Sequence, residues 1–180
     1  MTTTGLPGDV PAEAGVERMI RVDHAGEYGA VRIYQGQLAV LRRRGSAGTL
    51  RHMLAQEETH LSTFGSLVAD RRVRPTALLP LWHLAGFMLG AATAALGERA
   101  AMACTVAVEE AIDAHYQKQM DTLGEAEPAL RATISQFRDE ELEHRDIGLA
   151  HGAEQAPAYR LLTGAIKAGC RVAIALSERL

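Results

Sequence analysis

Two copies of one short pattern constrain this chain more than any other feature. Glu57-Glu58-Thr59-His60 and Glu141-Leu142-Glu143-His144 each carry a glutamate three residues ahead of a histidine. On a helix that spacing puts the carboxylate and the imidazole on one face, where both can reach one metal ion. The flanking residues fix which face. Leu50, Met53, Glu57, His60 and Phe64 step by three and four, and so do Ile134, Phe137, Glu141, His144 and Gly148. Each glutamate and histidine therefore lies inside the apolar stripe of an amphipathic helix. A carboxylate facing a core is costly unless it is paired or binds a metal.

Two such turns plus one glutamate from each of two further helices make the ligand set of carboxylate-bridged di-metal bundles. The further glutamates are found by register. Ile20, Glu27, Tyr34 and Leu41 recur at seven-residue steps, and Met102, Glu109, Tyr116 and Leu123 match them position for position. Thirty residues separate Glu27 from Glu57, and thirty-two separate Glu109 from Glu141. The chain thus repeats one helical hairpin. The alignment selects Glu109 over its neighbour Glu110, and Glu141 over Glu140. The predicted ligands are Glu27, Glu57, His60, Glu109, Glu141 and His144. An ordinary bundle with solvated glutamates accounts for any one of them, but poorly for six in matched registers.

The totals fit this reading. A chain of 180 residues with 47% hydrophobic residues can bury one core. Ala, Leu and Gly dominate and β-branched runs are scarce, so the predicted class is all-α. A formal charge of −3 gives no electrostatic case for nucleic acid. Cys104 and Cys170 lie far apart without a Cys-x-x-Cys, which argues against a zinc site or a disulfide framework. Residues 1–15 hold neither Lys nor Arg and no long apolar run, so no signal peptide is expected.

Residues 1–10 are expected to be disordered, with a single domain over 11–180. Helices are predicted over 11–44, 47–71, 98–123, 130–152 and 158–179, with Ser46 capping the second. Gly26 and Gly29 flank Glu27 and suggest close approach of a backbone or a substrate. Asp23 and Asp146 are candidates to hold the ligand histidines, or to pair with Arg21 and Arg145. His115 and Tyr116 follow Glu109 by about two turns and are candidates to border the site, with plain packing as the alternative.

Residues 76–97 contain no Asp, Glu, Lys or Arg, a run of 22. That length could span a bilayer. A single crossing would put Glu27, Glu57 and His60 on one side and Glu109, Glu141 and His144 on the other, so no joint site could form. The segment is either a buried helix or one lying in a membrane interface with Trp82 near the headgroups. Arg71, Arg72, Arg74 and Arg99 at its ends favour the membrane. Gly86-x-x-x-Gly90 permits close helix packing. The last helix is expected to pack on the bundle or on this segment.

Oxygen-rich ligation suits iron or manganese. Hydroxylation, peroxide removal and ferrous storage are all open to such a centre. The residues also resemble a known family, the demethoxyubiquinone hydroxylases. The resemblance covers roughly residues 17–180. It is carried by Arg21-Val-Asp-His-Ala-Gly-Glu-Tyr-Gly-Ala30, Arg74-Pro-Thr with Pro80-Leu-Trp82, Ala101-Met-Ala-Cys-Thr-Val-Ala-Val-Glu-Glu110, Phe137-Arg-Asp-Glu-Glu-Leu-Glu-His144, and Ala168-Gly-Cys-Arg-Val-Ala173 with Leu176-Ser-Glu-Arg-Leu180.

The resemblance implies a ferritin-like four-helix bundle with two iron ions on the six ligands. It implies O2-dependent hydroxylation of a polyprenyl demethoxyubiquinol, with electrons from the quinol or from NADH. His115 and Tyr116 would lie near the quinone and assist electron transfer. The uncharged middle segment would attach the chain peripherally to a membrane, the bacterial inner membrane at its cytoplasmic face or the mitochondrial inner membrane at its matrix face. Candidate partners are a lipid-binding protein of ubiquinone biosynthesis and a second copy of the chain. An iron-storage protein and a rubrerythrin-type peroxidase share the ligand set and are the competing readings. The first needs no uncharged middle segment, and the second usually carries a Cys-x-x-Cys module.

Overall fold

The computed structural model describes residues 12–180, all of whose regular elements are helical. The expectations for residues 1–10 and for the helix start at Pro11 lie outside the described residues. The helices are α1 (Ala12–Leu41), α2 (Ala47–Asp70), α3 (Leu79–Ala95), α4 (Glu98–Leu123), α5 (Pro128–Ala150) and α6 (Tyr159–Ser177), with a short 3-10 turn at Ala153–Gln155. Hairpins α1–α2 and α4–α5 form a ferritin-like four-helix bundle. α3 lies along α1, and α6 packs chiefly on α4.

Several boundaries differ from the sequence reading for local reasons. α1 stops at Leu41, and residues 42–46 make the turn, closed by Arg44 N–H to Leu41 O and Ala47 N–H to Arg44 O. Ser46 holds the N-cap position of α2 without capping it. Its hydroxyl is buried without a partner, while its backbone N–H donates to Glu98 Oε2 at 3.1 Å. Pro128 opens α5 rather than closing the loop before it, as suits a residue whose missing N–H costs nothing in a first turn. α6 starts after Ala158, which sits at φ 52°.

The bundle interior has three layers. One apolar cluster gathers Tyr34, Leu41, Leu50, Met53, Met102 and Val106. The other gathers Ile20, Phe64, Tyr116, Leu130, Ile134 and Phe137. α1, α2 and α4 contribute to both, while α5 supplies Leu130, Ile134 and Phe137 to the second and only the partly buried Ile147 to the first. The four glutamates and two histidines of the repeat fall between these clusters and are all buried.

α3 is neither fully buried nor free. It buries Gly86, Gly90, Thr93 and Ala94 and exposes Leu81, Leu84 and Met88. Its contact with α1 requires glycine on both helices. A Cβ on Gly90 would lie 1.9 Å from Ile33 O, one on Gly36 would lie 2.2 Å from Phe87 O, and one on Gly86 would lie 2.8 Å from Gly29 O. Trp82 turns inward, with Nε1 donating to Ser177 Oγ at 3.1 Å, so it ties α3 to α6 rather than standing out toward headgroups.

Candidate metal centre

The structure brings the six residues into two adjoining groups. Donor atoms of Glu27, Glu57, His60 and Glu141 lie within 4.8 Å of one another, as do those of Glu57, Glu109, Glu141 and His144. Glu57 and Glu141 belong to both groups. Glu27 with His60, and Glu109 with His144, belong to one each. This is the pattern of two cation positions joined by two shared carboxylates.

Both imidazoles turn Nδ1 inward. His60 Nδ1 lies 3.2 Å from Glu141 Oε1 and 3.5 Å from Glu27 Oε2. His144 Nδ1 lies 3.1 Å from Glu57 Oε1 and 3.2 Å from Glu141 Oε2. Each Nε2 points outward to an acceptor on the opposite hairpin, His60 to Glu140 Oε2 at 2.8 Å and His144 to Gln56 Oε1 at 3.0 Å. A histidine that ligates through one nitrogen ordinarily donates the other N–H in this way.

Burial sets the electrostatics. It raises Glu57 and Glu109 well above the ordinary carboxylate value, and repulsion from neighbouring carboxylates adds to it. Glu27 is raised for the same first reason. Burial also opposes charge on Glu141, but the two flanking imidazoles outweigh it and hold that carboxyl at about 2. Burial disfavours charge on His60 too, yet Glu141 and Glu27 push it up to about 12. Glu27 Oε2, both oxygens of Glu57, Glu109 Oε2, Glu141 Oε2 and His144 Nδ1 are buried without a hydrogen-bond partner. An unsatisfied buried polar group costs about 1–3 kcal/mol, more if charged. Orphaned carboxylate oxygens converging beside inward imidazole nitrogens fit divalent cations that accept mixed oxygen and nitrogen donors.

Tyrosines complete the layer. Tyr116 donates to Glu27 Oε1, and Tyr34 donates to Glu109 Oε1 at 2.8 Å. The two bonds are related by the repeat, each tyrosine serving the other hairpin's glutamate. The register alignment pairs Tyr34 with Tyr116, yet only Tyr116 is singled out by the sequence as bordering the site. His115 stands one step further out. Gln119 Nε2 donates to Asp23 Oδ1 at 2.7 Å and lies 2.9 Å from His115 Nε2. Asp23 is buried in this group and holds neither His60 nor His144, because it faces His115 on α4. Asp146 is 64% exposed and pairs with Arg145, the surface alternative. The acceptors for His60 and His144 are Glu140 and Gln56, which immediately precede Glu141 and Glu57. Glu110 pairs with Lys167 on the outside.

A cavity of about 590 Å³ lies between α1, α3, α4 and α6. Gly26, Gly29 and Ile33 of α1, Val108 and Ile112 of α4, and Cys170 of α6 help line it. Gly26 and Val108 directly precede Glu27 and Glu109 in the chain. A Cβ on Gly26 or Gly29 would meet nothing within 4 Å, so these glycines widen the space rather than admit a backbone. The cavity reaches the surface between Ala85 of α3 and Ala165 and Gly169 of α6.

The profile of the family "Ubiquinone biosynthesis protein COQ7" matches residues 14–177. The chain belongs to this family. It is 68% identical over 176 residues to "3-demethoxyubiquinol 3-hydroxylase" of Rhodospirillum rubrum, covering 97% of this chain and 83% of the relative. It is 57% identical over 182 residues to "NADPH-dependent 3-demethoxyubiquinone 3-hydroxylase, mitochondrial" of Homo sapiens, covering 99% and 84%. A relative from Saccharomyces cerevisiae named "5-demethoxyubiquinone hydroxylase, mitochondrial" is 44% identical over 184 residues, covering 93% and 79%.

Proposed function

We propose that this COQ7-family chain is a 3-demethoxyubiquinol hydroxylase, a di-iron monooxygenase of ubiquinone biosynthesis. One atom of O2 enters the quinol ring and the other leaves as water. The observation that carries the reading is the apolar cavity placed against the two helices that bear Glu27 and Glu109. An iron-storage protein has no need of such a space, and the chain has no Cys-x-x-Cys module of the kind a rubrerythrin-type peroxidase usually brings.

Glu57 and Glu141 would bridge two irons, with Glu27 and His60 on one and Glu109 and His144 on the other. Iron bound there supplies the redox chemistry for dioxygen reduction. The chain's own groups do the rest. Tyr34 and Tyr116 each occupy one oxygen of a terminal glutamate and leave the other free to ligate. The apolar clusters above and below exclude water from the layer. Ile33, Val108 and Ile112 pack the ring beside α1 and α4, while Ala165, Gly169 and Ala85 let a polyprenyl tail leave the cavity. Tyr116, bonded to Glu27, and its neighbour His115, tied to Asp23 and Gln119, assist electron transfer from outside the cavity, since neither lines it. The expected reductant is a nicotinamide nucleotide, NADH or the NADPH that the name of the human relative carries.

No helix among the described residues is long and apolar enough to cross a membrane. The exposed faces of α3 and α6 instead lie in the interface of a bilayer, with Leu84 at 61% exposure and Leu161 at 77%. That places the cavity mouth where an apolar tail resides. Arg72 and Arg74 flank this face, while Arg71 is already held by Glu127 through two bonds of 2.8 Å. The eukaryotic relatives named above are mitochondrial, which fits attachment to an energy-transducing membrane.

The test is isotope incorporation. Protein loaded with ferrous iron receives a short-tailed demethoxyubiquinol, NADH or NADPH, and heavy-isotope O2. The expected product carries one heavy oxygen, and Glu109→Ala abolishes it. Iron oxidation with no hydroxylated ring under either nucleotide, in the presence of membranes, would overturn the assignment.

A further inference from the structure

The repeat extends to the groups behind the ligands. Adding 84 to a residue number carries Gln56 onto Glu140, Glu57 onto Glu141 and His60 onto His144. The supports cross between hairpins in both directions. His60 of α2 donates through Nε2 to Glu140 of α5, and His144 of α5 donates through Nε2 to Gln56 of α2. The two places are equivalent, but the acceptors are not. One is a carboxylate and the other a neutral amide oxygen.

We propose that this difference makes the two cation positions unequal, so that the position of Glu27 and His60 fills first and holds its ion more tightly than that of Glu109 and His144. The inference rests on the di-metal reading above. A carboxylate accepting from the outer N–H shifts electron density toward the ligating nitrogen and fixes the ring. Hydrogen bonds to a charged acceptor are roughly twice as strong as neutral ones. Glu140 also brings a further negative charge to one side only.

The surroundings reinforce the asymmetry. Glu140 is itself held, accepting from Gln136 Nε2 at its other oxygen at 2.9 Å. Phe137 stacks on the His60 ring with centroids 3.9 Å apart, whereas His144 meets only the edge of Tyr34 at 6.1 Å. The terminal glutamates do not offset the difference. Each gives one oxygen to a repeat-related tyrosine, so their supports match.

The test is a calorimetric titration of the full metal-free chain with Co2+ alone, followed in parallel by visible absorption. Wild type should take two ions in two resolved steps. His144→Gln should keep the tight step, and His60→Gln should lose it. Glu140→Gln should weaken the tight step by about 10–100-fold, the usual effect of losing such a support. Gln56→Glu should tighten the weak step and close the gap from the other side. Because these last two changes sit on different hairpins, a folding defect in one leaves the other decisive. Two equal sites in wild type, or an unchanged gap in both support variants, would overturn the inference while leaving the di-metal reading standing. Fewer than two ions per chain, unaffected by Glu57→Gln, would overturn the reading and the inference together.

Discussion

The ligand layer and the α3–α6 flank break the usual rule of burial in opposite ways. The layer puts four carboxylates and two imidazoles where a bundle ordinarily keeps apolar side chains. The flank leaves Leu81, Leu84, Met88, Leu161 and Val172 in the open where a surface is ordinarily polar. Each arrangement is costly for the chain alone. The comparison teaches that function here is paid for twice, once in charge and once in apolar area. The first cost fits a layer that could hold cations, and the second is the one that the proposed bilayer contact would offset.

The largest expected effect breaks the ligand layer. Glu57→Gln should lower hydroxylation by more than the 10–100-fold typical of losing an outer support, because it removes a shared carboxylate. The same variant should raise the melting temperature of the metal-free protein at neutral pH, since the buried glutamine is neutral without the proton that Glu57 must take up on folding. Parallel product analysis and thermal unfolding check both signs. If the metal-free protein were destabilised instead, repulsion would not govern the layer.

Next comes the seam that joins the two regions. Gly90→Ala drives a methyl into Ile33 O and should cost about 1–3 kcal/mol in denaturant unfolding. Gly26→Ala, facing open space, should cost far less and should act on substrate binding instead.

The flank is tested by Leu84→Ser with Met88→Ser. Burying one such side chain is worth about 1.5–3 kcal/mol, so the pair should weaken liposome partitioning by at least about tenfold. Co2+ stoichiometry should not change. A loss of both together would mean the two regions are not separable.

A pH series sharpens the comparison further. In the folded metal-free protein Glu57 and Glu109 titrate well above their ordinary 4.5 and His60 at about 12 rather than 6.5, so the folded state holds more protons than the unfolded one at neutral pH. Its stability should therefore fall as pH rises from about 5.5 to 8. Glu141, held at about 2, contributes stability that is constant across this range and is lost only below its ordinary 4.5. Cation binding must displace the protons, so loading should acidify an unbuffered solution and remove this pH slope. Melting curves with and without Co2+ read both.

The smallest effect separates the two aspartates. Asp146→Asn, on an exposed pair, should change stability by no more than about 0.5 kcal/mol. Asp23→Asn, buried against His115 and Gln119, should change it more and should slow ring-dependent electron transfer.

Much of the layer was legible because helical spacing is rigid. A glutamate and a histidine three apart must share a face, and a repeated register ties four helices together before any contact is known. Other assignments failed where direction mattered. Asp23 faces His115 instead of either candidate, His60 or Arg21, whereas Asp146 took its alternative and pairs with Arg145. Glu140 and Gln56 face His60 and His144, and their signal was present, since each sits one residue before a predicted ligand in matching registers. Tyr34 was equally available from its alignment with Tyr116. Trp82 read as an interfacial residue because indoles favour headgroups, but its N–H found Ser177.

By itself, then, the sequence determined the helices, the two-hairpin repeat and which four glutamates and two histidines share the buried layer, because periodicity and residue chemistry are local properties. Tertiary structure alone decided that Glu57 and Glu141 are shared, that each hairpin supports the other's histidine, and that α3 lies against α1 with one side open. Those depend on which helices come close and how they are rotated. Gly86-x-x-x-Gly90 announced close helix packing, but that α1 is the partner and that Gly36 joins the seam depend on how the two helices meet. The cavity is likewise a gap between four helices, and no single segment encodes a gap.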